Sequence, residues 1–168
     1  MSLFLRAVDR IIQVLAVLAG IYLIVIMLGI VFQASARSLG YSGSSHVFTF
    51  TEFGLLYIAM AAAPWLVRSR GHVYIEILTA AVPDAIRPGL SRFVTFLCLL
   101  VCLIVVWYGT ETTYTAWQRG DADMRSIDMP RWLLLISIPI SFALMAIEFA
   151  RFTFGREVMH LGEAGVHE

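Results

Sequence analysis

Four long apolar stretches dominate the chain, and polar residues gather between them. The first runs from Ile11 to Ala36, interrupted by Gln13, Tyr22, Gln33 and Ser35, and the second from about Val47 to Val67, with Glu52 near its start. The third covers Phe93 to Thr110 without a charge, and the fourth Trp132 to Ala150, with Glu148 near its end. A helix needs about 20 apolar residues to cross a bilayer, so each stretch predicts one crossing, over about 11–36, 47–67, 93–112 and 132–152. Strands do not fit: a lone strand in lipid leaves its backbone groups unpaired, and barrel strands would be shorter, alternating and more numerous. The predicted fold class is an all-α membrane protein of four transmembrane helices in a single integral membrane domain.

One stretch between the second and third spans departs from this pattern. "RSRGHVYIEIL", Arg68 to Leu78, alternates apolar and polar residues after two arginines. At helical spacing Ile75, Leu78 and Val82 share one side, with Glu76 and Thr79 elsewhere, up to Pro83. That predicts a short amphipathic helix on the membrane surface, within a segment of about 72–90.

Composition agrees with the pattern. The chain is 60% hydrophobic and 14% charged, with mean hydropathy +0.82, against roughly 45–50% and 25% in soluble domains. Its zero net charge gives no sign of a nucleic-acid partner.

Charge adds orientation. Arg6, Arg10, Arg68, Arg70, Arg87, Arg92, Arg151 and Arg156 fall on one side of the four spans. Arg37, Arg119, Arg125 and Arg131 fall on the other, offset by Asp121, Asp123 and Asp128. The positive-inside bias predicts that both termini are cytoplasmic and that the 72–90 segment lies on the cytoplasmic face. "ASA" at Ala34 to Ala36 resembles a signal-peptide cleavage site, but a signal's apolar region is about 7–15 residues. The first stretch exceeds that, which favours a retained helix.

Candidate chemistry is sparse. Ala16 and Gly20 are four apart, as are Ala59 and Ala63, a spacing that lets helices approach closely. Pro64 and Pro139 predict local bends or helix ends. Glu52, Glu111 and Glu148 all lie toward span ends, where water or a neighbouring arginine is within reach, and no intramembrane proton or ion relay is visible. His46, His72, His160 and His167 lie outside the apolar cores, so no facing pair is available for haem. Cys98 and Cys102 share a helix face without a histidine beside them and read as packing residues. No phosphate loop or nucleophile elbow occurs. These residues predict a membrane component that is not an enzyme, binds no metal or cofactor itself, and works by holding another protein.

In order and spacing the motifs resemble the small membrane subunit, the DctQ-type or Q subunit, of tripartite ATP-independent periplasmic (TRAP) transporters, from about Arg6 to Phe154. Arg37 stands where that family closes its first helix, and Glu52 where a glutamate opens the second, with phenylalanines in "HVFTFTE" replacing the usual tryptophan. Arg68, Arg70, Gly71, His72, Val73, Ile75, Glu76 and Leu78 follow the family's basic turn and Gly-His motif, with Glu76 where aspartate is commoner. Ser126, Pro130, Trp132, Ile138, Pro139 and Arg151 follow its last loop and helix.

The resemblance implies a bacterial inner-membrane, multi-pass scaffold. Its partners would be a large membrane subunit, in which sodium coupling resides, and a periplasmic protein that binds an organic acid such as a dicarboxylate or a sialic acid. Membrane lipids complete the surroundings. Interface or structural roles are expected for Ala16, Gly20, Ala59 and Ala63, for Arg37 and Glu52 as a local pair, and for Arg70, His72, Glu76, Pro130 and Pro139. Two other readings stay open from the residues alone: a self-sufficient small oligomeric transporter, and a membrane-anchor subunit of a respiratory complex.

Overall fold

A computed structural model describes residues 3–40, 45–69, 87–123 and 129–154, with side chains over 5–40, 49–69, 89–122 and 129–154. Three long helices come first: α1 (Leu3–Ser38), α2 (Ser45–Arg68) and α3 (Arg87–Arg119). Two short strands, β1 (Ala122–Asp123) and β2 (Met129–Pro130), pair antiparallel, Ala122 opposite Pro130 and Asp123 opposite Met129. The chain then forms α4 (Arg131–Leu135) and α5 (Ser137–Phe154). Four helical stretches are long and apolar enough to cross a membrane, Leu5–Ser38, Thr49–Arg68, Gly89–Arg119 and Arg131–Phe154.

The helices outrun the predicted spans. At about 1.5 Å per residue, the 36 residues of α1 extend well past a hydrocarbon core about 30 Å thick. Of the predicted surface segment, residues 72–86 lie outside the described residues, while 87–90 belong to the first turn of α3 rather than to a separate surface helix.

Local chemistry explains the ends and breaks. Gly120, at φ +66°, closes α3: its N–H donates to Trp117 O and that of Asp121 to Ala116 O, both at 3.3 Å. This pair of bonds is the Schellman arrangement, which wants the left-handed conformation that glycine adopts freely. The Arg131 N–H then donates to Asp121 O at 2.9 Å, tying off the loop. The fourth span is broken at Ile136 because Pro139 has no N–H for the Leu135 carbonyl and its ring crowds that carbonyl. Ser137 Oγ donates to Leu134 O at 2.8 Å beside the break.

The four spans form an open row, α1, α2, α4/α5, α3, in which each packs chiefly on its neighbours. Along α1 the residues that are not exposed are Val8, Ile12, Leu15, Ala19, Tyr22, Ile26, Gly29, Gln33 and Ala36, apart from a few at the edges. Their spacing alternates four and three, the seam of a coiled coil. At its middle, a Cβ on Gly54 of α2 would lie 2.6 Å from Ile26 Cδ1 and 2.8 Å from the Tyr22 hydroxyl. At Gly54, therefore, α1 and α2 lie too close for a side chain to fit without a shift.

The seam of α3 is made largely of small residues: Ser91, Thr95, Cys98, Cys102, Gly109, Thr113 and Ala116. Small side chains bring α3 near α5, and at Gly109 a Cβ would sit 3.5 Å from Pro139 Cδ. The apolar core lies where α2, α3 and α5 meet, with Val67, Leu99, Cys102, Met145, Ala146, Phe149 and Phe152 in contact.

Candidate functional site

Among the described residues, four charged side chains come together where α1 begins and α2 and α5 finish. Asp9 projects from α1 beside the seam residues Val8 and Ile12, and its Oδ1 accepts from Arg151 Nη1 at 2.7 Å and lies 3.1 Å from Arg68 Nη1. Arg68 also donates to the Asp9 backbone carbonyl at 3.1 Å. Arg151 reaches back one turn to Glu148 Oε1 at 3.0 Å. Glu148 is only 1% exposed, amid apolar residues of the core.

Two acids and two bases thus form a neutral cluster spanning α1, α2 and α5. Neutrality matters here, because an uncompensated charge in a low-dielectric setting costs several kcal/mol. The sequence placed Glu148 within reach of Arg151, and the two do pair. It gave no reason to single out Asp9. The one available signal was an acid set between Arg6 and Arg10, whose side chains are exposed while that of Asp9 is only 13% exposed.

Farther along, hydrogen bonds join α2 to the broken fourth span. Tyr57 donates through its hydroxyl to Leu133 O at 2.8 Å, and Ser141 Oγ to Met60 O at 2.6 Å. Thr153 Oγ1 lies 3.3 Å from Thr95 Oγ1, joining α5 to α3.

Toward the far end, α3 and the fourth span enclose an open depression of about 640 Å³ lined by Thr110, Thr113, Tyr114, Trp117, Trp132 and Pro139 among others. Thr110 and Thr113 spend their hydroxyl protons on Val106 O and Gly109 O, both at 2.7 Å. The adjoining depression is lined by Glu111. Among the described residues no group of three or more His, Cys, Asp or Glu side chains converges on a metal position.

The other predicted site residues scatter. Ala16 is half-buried, and Gly20 is exposed, with open space where a Cβ would be. Ala59 is exposed, and Ala63 packs against the core. Arg37 stands exposed in the last turn of α1, and Glu52 is exposed on α2. Pro130 ends β2 and precedes α4, while Pro139 is buried against α3. Arg70, His72 and Glu76 lie outside the described residues. The close approach of α2 to Tyr22 and Ile26 of α1 uses Gly54, which neither small-residue pair contained. The small seam of α3 was readable only in part, through Cys98 and Cys102.

Residues 26–157, well over half the chain, match the family model described as tripartite ATP-independent periplasmic transporters, DctQ component. The chain belongs to the DctQ family. It is a multi-pass membrane protein and the small subunit of a TRAP transporter, a transport component rather than a member of an enzyme family. No curated protein and no solved structure matches it. Arg68, Glu148 and Arg151 fall inside the region matched to the DctQ family, whereas Asp9 and the first turns of α1 precede it.

Proposed function

We propose that this DctQ-family chain is the fixed scaffold of a sodium-driven, binding-protein-dependent importer of organic acids. In this reading it packs against the large membrane subunit and supports docking of the periplasmic binding protein. Sodium and substrate are handled by those partners, and the chain holds no cofactor of its own. Both termini and the charge cluster face the cytoplasm, in keeping with the arginine bias, and the membrane is the bacterial inner membrane.

The observation that carries the reading is the open row of helices. A transporter that worked alone would gather polar or charged groups at mid-membrane, between helices that enclose them. Here the described acidic and basic side chains lie toward helix ends, with the most buried acid neutralised by arginine, and α1 is flanked by one helix. In the most apolar 18-residue window of α1 only 6% of residues are buried, against 39% in the fourth span, so α1 offers its length to a neighbour.

Reconstitution tests this. The purified chain alone in vesicles is expected to take up no organic acid, while vesicles with the large subunit and the binding protein take it up when a sodium gradient is imposed. Uptake by the chain alone would overturn the scaffold reading, as would a failure to co-purify with the large subunit in mild detergent.

A further inference from the structure

α1 is apolar on every side between Ile11 and Val31, apart from Gln13 and Tyr22. In lipid such a helix has little reason to present one face rather than another, because lipid tails are as apolar as the neighbouring helix. Turning α1 by one residue would still bury an aliphatic side chain against α2. Yet α1 uses one seam, from Val8 to Ala36, and leaves Val17, Leu18, Ile21, Ile24, Val25 and Leu28 about half exposed.

At the start of α1 one group has a strong preference of face. Asp9 is pinned by Arg68 of α2 and by Arg151 of α5, at 3.1 and 2.7 Å, while Arg6 and Arg10 are exposed. α1 packs along α2 and not along α5, so the Asp9–Arg151 pair reaches across to a helix that α1 otherwise barely meets. Two arginines on different helices fix a carboxylate in two directions, which sets both the rotation of α1 and its height along α2.

We propose that Asp9 is a positioning residue that selects the face α1 turns to the rest of the chain, and so the face left for the large subunit. An ion pair acts here as a register device, the role for which buried polar contacts are best attested. Gly54 lets α1 come close at mid-height, and Asp9 decides how it is turned. The step to the large subunit rests on the scaffold reading above.

The test compares the wild-type full chain with Asp9→Asn, which keeps size and removes charge, and with Asp9→Glu, which keeps the charge. Hydrogen exchange of the purified chain in lipid nanodiscs reports on each helix, and co-purification reports on assembly with the large subunit. In Asp9→Asn, exchange is expected to rise several-fold in the first turns of α1 and stay unchanged in α3 and α5. Co-purification should fall several-fold, and Asp9→Glu should restore both. Unchanged exchange in Asp9→Asn would overturn the proposal, as would loss of protection in all helices, which would make Asp9 a general determinant of folding. Altered α1 exchange with undiminished co-purification would overturn the step to the partner. If the wild-type chain itself does not co-purify, the scaffold reading fails, while exchange still decides the role of Asp9 within the chain.

Discussion

Ser141 of α5 supplies the hydrogen bond that Pro64 of α2 cannot. In a regular helix the N–H at position 64 would donate to the carbonyl of Met60, but proline has none, and Ser141 Oγ donates to that carbonyl instead, at 2.6 Å. Ser141 is 3% exposed, so water does not readily take its place.

Ser141→Ala is therefore expected to destabilise the chain by about 1–3 kcal/mol, the usual penalty for a stranded buried acceptor. In a Pro64→Ala background, where an N–H returns to Met60 O, the same change should cost clearly less. Thermal unfolding of the four variants in nanodiscs measures the coupling, and equal losses in both backgrounds would refute it.

Arg151 and Glu148 make a second, asymmetric case. Arg151→Ala removes the partner of a sealed carboxylate and one of the two partners of Asp9. A broken buried pair costs about 3–5 kcal/mol, and the 30% exposure of Arg151 puts this one toward the lower figure. Glu148→Gln leaves Arg151 paired with Asp9 and should cost distinctly less. Chemical denaturation in detergent ranks the two, and the reverse order would contradict the geometry.

Two glycines of the first two helices should behave in opposite ways. Gly54→Ala places a methyl against Ile26 and Tyr22, and such overpacking costs about 1–3 kcal/mol, enough to outweigh the gain of up to about 1 kcal/mol from replacing glycine in a helix. Gly20→Ala meets open space and should be neutral or stabilising. Melting temperatures moving in the same direction for both would show that α1 meets α2 elsewhere.

Cys102 and Leu103 separate the two faces of α3. Cys102 is 4% exposed within the core, whereas Leu103 is 55% exposed. Cys102→Leu should destabilise by about 1–3 kcal/mol through overpacking, and Leu103→Ala should change the stability of the isolated chain little. A thiol reagent should label Cys98, which is half-buried, faster than Cys102.

The sequence by itself determined four helices long and apolar enough to cross a membrane, because the bilayer demands a length of apolar residues that few other structures need. It also brought Glu148 near Arg151, which any helix does at a spacing of three, and set Pro139 beside the break at Ile136, while α2 runs on through Pro64. Its motifs were enough to mark the DctQ resemblance. The faces were decided only in the tertiary structure. In water, hydrophobic periodicity reveals a buried face because the other face is polar, but α1 is apolar all round and carries no such contrast. Which residues form its seam depends on contacts far apart in the chain: Gly54 beneath Tyr22 and Ile26, and Asp9 held by Arg68 and Arg151. Asp9 and Arg151 are separated by 142 positions, and no local spacing rule joins them. Helix packing alone brings them together.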